Sequence, residues 1–294
     1  MSVVTIPTKA EDEGHKQLRS EKQRPLPSTG TETAFRWGLR LLVTAVLAFL
    51  IVPILIVILE SFNGVNYLTF PLKGFSMMSY EKFFTDDSWV SATLLSARIA
   101  LLASLIATSI GTMAAWALTR TKGRGKTLVY GLLYSPVIVP IIVLAMSYYF
   151  FFSKLRMIGS SVAISFAYAV MGIPFVLVAV SNALQHFDPE IENAARTLGA
   201  SPLKMLWYIT FPRIMSGIAA GAIFAFVVAF DEAVIILFVA GSGSITLPRK
   251  LWDSVRYDLD PTLAVAGTVL IVVAVALFVF AEAISTARER KGKA

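Results

Sequence analysis

The sequence predicts an all-α membrane protein with six transmembrane helices, on three observations. Its 294 residues are 56% hydrophobic and only 15% charged, with a mean hydropathy of +0.71, which no ordinary water-soluble domain shows. Apolar runs of about 20 residues, enough to cross a ~30 Å hydrocarbon core, recur six times, at 37–58, 91–118, 128–152, 160–183, 214–240 and 262–283. Lys and Arg are shared unequally between the segments that join them. The tail through Arg40, the 120–126 loop, the loop from Asp188 to Arg213 and the tail from Arg288 hold eighteen, while the opposite segments hold seven. With six spans both ends share a side, and the positive-inside rule makes that side cytoplasmic.

Residues 1–35 are polar, without apolar periodicity, and read as a flexible cytoplasmic tail. The first apolar run begins too late for a secretory signal core and is expected to remain attached as a span. Residues 36–286 form the six-span domain, with a polar loop at 185–212, and 287–294 a basic tail. The segment after the first span carries Phe70, Phe75, Tyr80, Phe83 and Phe84, aromatics suited either to an interfacial belt or to a docking protein. The second span contains a lone cation, Arg98. Pro53 interrupts the first span, Pro136 and Pro140 the third, and Gly172 and Pro174 the fourth, as expected of helices that bend around a pathway. Gly217 and Gly221, four residues apart in the fifth, mark a close helix contact.

Several chemistries are excluded early. There is no cysteine, and the two histidines, His15 and His186, lie far apart, so neither a metal site nor a cofactor is expected. The net charge of +7 follows the loops and does not form a nucleic-acid face. Residues 123–127 end like a phosphate-binding loop, but its first glycine would fall at Arg120, in a turn between spans. No convergent nucleophile and base is found, so catalysis is not expected. Asp231 and Glu232 do stand out. Acids inside a span cost ~2.5–3.5 kcal/mol on insertion scales and by default face a wet cavity or a partner. They are candidates for a translocation path, with Arg98 as the alternative structural partner of one of them.

The 185–212 loop is punctuated as two short helices. Asp188 caps the first, Pro189 opens it, Glu190 and Glu192 sit at its positive end, and Gly199 closes it. Ile191, Ala194, Ala195 and Leu198 fall on one narrow apolar stripe, with Glu192, Asn193 and Arg196 elsewhere. Ser201 and Pro202 start a second helix, expected to halt before Pro212.

Asn193-Ala194-Ala195, then Gly199, then Ile209-Thr210-Phe211-Pro212 resembles the EAA loop of permease subunits in binding-protein-dependent ABC importers. Asn193 stands where that pattern has Glu, with Glu192 adjacent, and Phe211 stands where it has Leu. Across 37–285, Ser61-Phe62-Asn63, the 70–75 stretch, the segment from Phe230 through Gly243, Leu247-Pro248-Arg249 and Asp260-Pro261-Thr262 are similar to the C-type permeases of spermidine/putrescine importers. The resemblance implies a type I importer permease fold in a bacterial inner membrane, with a coupling helix that docks on a cytoplasmic ATPase. Coupling would then fall to Glu192, Asn193, Ala194, Ala195, Gly199, Ile209 and Pro212. It further implies a second permease subunit, two ATP-binding subunits, an extracytoplasmic solute-binding protein, and a small solute such as a polyamine. The competing expectation is an ion-coupled secondary transporter or channel that uses Asp231 and Glu232 as a relay.

Overall fold

The computed structural model describes residues 30–292 apart from Asn66, Lys122, Arg124, Ser242 and Asp258. Among them every regular element is helical, beside one isolated antiparallel bridge between Asn63 and Phe75. Of the described residues, those up to Ile56 belong to one compact unit and those from Val57 to a second. The predicted tail lies outside the described residues as far as 29, and helix α1 (Gly30–Glu60) begins within its last residues. Helix α1 passes Pro53 without a break.

The second unit is built on three long helices, α3 (Asp87–Arg120), α6 (Ser161–Gln185) and α9 (Phe211–Phe230), each packed on the other two. In lipid the spans gain nothing from leaving water for one another, so close packing and hydrogen bonds must hold them. The sequence supplies small side chains at the contacts. On α3 the buried stripe runs Ser96, Ala100, Ala103, Ala107, Gly111 and Ala115 at helical spacing. A Cβ on Gly172 of α6 would sit 3.0 Å from the Ala225 Cβ and 3.1 Å from the Ala107 Cβ, so three helices meet at this point. A Cβ on Gly217 of α9 would come within 2.5 Å of the Ala183 Cβ, and one on Gly221 within 3.0 Å of the Val176 Cα, which bears out the predicted contact. Ser104 Oγ donates to the Ala222 carbonyl across 2.7 Å, tying α3 directly to α9.

The third span breaks as the sequence predicts, at Pro140 but not at Pro136, which stays within its helix, and the fifth departs from the sequence reading. The third is broken into α4 (Gly125–Ile138) and α5 (Ile141–Lys154), bent by 101°. Pro140 causes this, because it has no N–H to donate and disfavours helical geometry at the residue before it. The fifth ends at Phe230 and resumes only as the short α10 (Val234–Val239), which packs on α5. By contrast α6 runs unbroken through Gly172 and Pro174. The described residues hold five helices long and apolar enough to cross a membrane, or six with α4 and α5 taken as one span.

Two ends of the unit matter for function. At one end lie α7 (Pro189–Thr197), α8 (Pro202–Met205) and a π turn (Leu206–Thr210) that enters α9. At the other lie α2 (Met78–Thr85), α11 (Leu247–Tyr257) and the start of α12 (Thr262–Gly292). Helix α12 continues through most of the predicted basic tail.

Candidate functional site

The α7 helix is set by its own ends. The Asp188 carboxylate accepts from Glu190 N at 2.9 Å, Pro189 occupies the first turn, and Glu190 and Glu192 face the positive end of the dipole. At the far end Gly199 has φ +83°, Gly199 N donates to the Arg196 carbonyl at 2.9 Å and Ala200 N to the Ala195 carbonyl at 3.0 Å. This is the paired-bond closure that a left-handed glycine permits.

The predicted apolar stripe does not form a single face. Ile191 and Ala195 turn inward, Ala195 being 8% exposed, while Ala194 and Leu198 stay outside, Leu198 at 89%. The cause is Glu192, expected to point away from the packed side yet only 2% exposed. Its Oε1 accepts from Arg120 Nη2 at 3.0 Å and from Thr210 Oγ1 at 2.8 Å. Arg120 Nε lies 2.8 Å from Oε2, off the line of a hydrogen bond, and the guanidinium carbon sits 5.9 Å from the centre of the Phe187 ring. Burying a carboxylate is tolerable only with such pairing, and it fixes the rotation of α7. The surface left open carries Asn193, Ala194 and Leu198, with Trp207 and Tyr208 of the π turn also exposed.

The second short helix does not halt before Pro212. It passes through the π turn into α9, with Phe211 N bonded to the Leu206 carbonyl five residues back. The wider turn lets the chain take in a proline without ending the helix. Ile209 is half-buried and Pro212 exposed.

Asp231 and Glu232 lie at the break after α9, not within a continuous helix. Glu232 Oε1 accepts from Val234 N at 2.7 Å and Ile235 N at 3.0 Å, capping α10, and Tyr168 Oη donates to the Glu232 carbonyl at 2.9 Å. One of the two acids therefore has a structural task. Asp231 is exposed and borders a cavity of about 170 Å³ with Phe226, Phe230 and Leu270. Arg98 is exposed on α3 and pairs with neither acid; the ion pairs of the described residues lie elsewhere. A second, open cavity of about 550 Å³ runs between α6 and α9, with Asn182, His186 and Ser216 among apolar walls.

At the opposite end, Lys82 of α2 pairs with Asp260, whose carboxylate also accepts from Thr262 N at 2.8 Å. Burial pushes the Asp260 carboxyl up, but the Lys82 and Thr262 bonds outweigh it and hold the group below its ordinary value. Lys250 of α11 lies 4.3 Å from the centre of the Trp89 ring and bonds Ser88, and burial lowers its ammonium below the usual lysine range. In the preceding loop Asn63 Nδ2 donates to Glu60 Oε2 at 3.0 Å and to the Thr69 carbonyl at 3.1 Å, which folds the aromatic segment back on the end of α1. Tyr67, Phe70, Phe75 and Phe84 remain exposed. Of the Glu192 partners, Thr210 lies within the EAA-like motif but was given no role there, Arg120 counted towards the charge of its loop and against a phosphate-binding loop, and Phe187 was not singled out.

The family model described as "Binding-protein-dependent transport system inner membrane component" matches residues 107–291. The spermidine/putrescine transport system permease protein PotC of Escherichia coli (strain K12) is 32% identical over 246 residues, covering 82% of this chain and 91% of that one. The putrescine transport system permease protein PotI of the same organism is 34% identical over 230 residues, covering 76% and 82%. Among solved structures, a bacterial ABC transporter involved in the import of the acidic polysaccharide alginate superposes with a TM-score of 0.65 at 16% identity, covering 87% of this chain and 96% of that one. The MetNI methionine ABC transporter superposes with a TM-score of 0.56 at 17% identity, covering 67% and 94%. Those two likenesses bear on the fold alone, and they bracket solutes of very different chemistry.

Proposed function

Because the chain belongs to the family of binding-protein-dependent transport system inner membrane components, we propose that it is the permease subunit of an ATP-driven importer of polyamines such as putrescine or spermidine. Relatives at 32% and 34% identity carry those solutes in their names. The observation that carries the coupling half of the reading is α7, a short helix closed at both ends and held in one rotation by a buried ion pair. It offers Asn193, Ala194 and Leu198 outward at the end of the bundle where the basic loops lie.

In this reading that end is cytoplasmic, both tails lie on that side, and α7 seats in a groove of an ATPase subunit. Ala194 and Leu198 make the apolar contact, and Gly199 and Pro212 set the geometry around it. Two such ATPase subunits drive the pair formed with a second, non-identical permease. At the other end the exposed aromatics of the loop before α2 receive a solute-binding protein. The chain itself contributes a path and holds no ATP.

Asp231, beside Phe226 and Phe230, supplies a carboxylate and aromatic faces, both of which favour an ammonium group. Family membership displaces the ion-coupled alternative, and the capping task of Glu232 removes half of the acid pair on which a relay would depend. The test is uptake of labelled putrescine into proteoliposomes holding the full complex. Uptake should require internal ATP and the binding protein and should survive a protonophore. Uptake that persists without ATP and collapses with the proton gradient would overturn the reading.

A further inference from the structure

The Glu192 carboxylate is bonded by two elements that its own helix does not contain. Arg120 is the last residue of α3, 72 positions away in the chain, and Thr210 is the last residue of the π turn that becomes α9. The two spans they belong to are packed on α6 and tied to each other by Ser104 and Ala222. The carboxylate is 2% exposed, so it cannot trade these bonds for water without leaving its site. A nine-residue helix is too short to hold its shape alone; it also packs on α8 and the same π turn, with Ile191 against the core.

We infer that Glu192 is a positioning residue that ties α7 to the ends of α3 and α9, so that displacement of α7 by its partner is carried into both spans. The inference rests on the reading of α7 as the ATPase contact and assigns to Glu192 a role turned away from that contact. The docking surface is Asn193, Ala194 and Leu198; Glu192 lies on the opposite side of the helix and links what docks to what moves. An arginine suits this better than a lysine, because its planar fork holds more than one donor against a carboxylate. Loss of the tie should therefore leave docking and ATP hydrolysis in place while less solute moves per ATP.

The chain has no cysteine, which allows a reversible test. Arg120→Cys with Glu192→Cys, assembled with cysteine-free partner subunits in proteoliposomes, is bridged by a bis-methanethiosulfonate reagent whose links are cut by dithiothreitol. The bridged complex should transport with the wild-type ratio of solute to ATP. The cut complex should hydrolyse ATP at an undiminished rate with that ratio lowered about tenfold, within the range typical of an inter-site coupling. Glu192→Gln, which keeps the side chain's size and an acceptor for Thr210, is expected to assemble and show the same lowered ratio. An equal ratio in the bridged and cut states, or an unchanged ratio in assembled Glu192→Gln, overturns the inference. Failure of both variants to assemble also overturns it, in favour of a purely structural ion pair. If the wild-type chain itself does not retain ATPase subunits, the reading of α7 fails instead, and the two failures are thereby distinguished.

Discussion

Replacing Gly199 isolates the closure of α7 from every other property of the loop. A Cβ built there meets nothing within 4 Å, so added bulk has room, and the whole penalty lies in holding φ at +83°. For an L-residue the left-handed region costs roughly 1–2 kcal/mol, less for Asn and more for a β-branched residue. The strain is relieved by letting the last turn open, which breaks the bonds from Gly199 N to Arg196 and from Ala200 N to Ala195. Leu198 and Ala194 then lose their fixed direction. If the penalty is spent wholly on docking, affinity for the ATPase subunit falls about 5- to 30-fold, since every 1.4 kcal/mol is tenfold. The assay is titration of purified ATPase subunit against the permease pair in nanodiscs, read by anisotropy, with substrate-stimulated hydrolysis alongside. The expected order of affinity is Gly, then Asn, then Ala, then Val. A Val variant that binds and stimulates like wild type, or an Asn variant worse than Val, would refute the reasoning.

Three further outcomes are expected. Gly217→Val should reduce the yield of folded permease, by the ~1–3 kcal/mol typical of overpacking, because its Cβ meets the Ala183 Cβ and lies 3.0 Å from the Ala179 carbonyl; thermal melting in detergent measures this, and an unchanged melt would contradict the close α6–α9 contact. Asp231→Asn should lower putrescine uptake with complex yield intact, whereas Glu232→Ala should lower yield by removing a cap worth ~1 kcal/mol; Arg98→Gln should rescue neither, since Arg98 touches neither acid. Lys82→Met should make the α2–α11 end more acid-sensitive. The Asp260 carboxyl, held below its ordinary value, contributes stability that is present above that value and lost as pH falls through the lower folded one. Removing Lys82 raises the folded value and moves the loss to higher pH, which hydrogen exchange across 255–265 as a function of pH would detect.

The legible parts of this chain were those written in local chemistry. The break at Pro140, the caps of α7 and the glycine stop are each decided within a few residues, and the sequence reading places them correctly, although Pro136 stays inside α4. Two things were not local. The rotation of α7 depends on Arg120, 72 residues away, and no period in 188–199 reveals that a glutamate will be drawn inward while Leu198 is left outside. The end of α9 at Phe230 was hidden because 214–240 is apolar almost throughout; the acid at 232 looks like a charge in a helix until its carboxylate is seen bonded to Val234 and Ile235. Continuous apolarity marks depth in a membrane but carries no signal for where a helix stops.

The π turn at Leu206–Thr210 also sets the angular phase between two functions. It holds one residue more than an α-helical turn of the same height, and one residue is about 100° of rotation and about 1.5 Å of rise. Gly217 and Gly221 lock α9 against α6 in one orientation, while Thr210 must face the Glu192 carboxylate and Met205 and Leu206 must face the interior. A regular helix from 202 to 230 would satisfy only one of these sets. The extra residue acts as an offset that lets a single continuous rod present one side to the bundle at one level and a different side to α7 at another. Shortening the turn by one residue would preserve both flanking helices and every side chain needed for packing, and yet point the α7 end of the rod the wrong way.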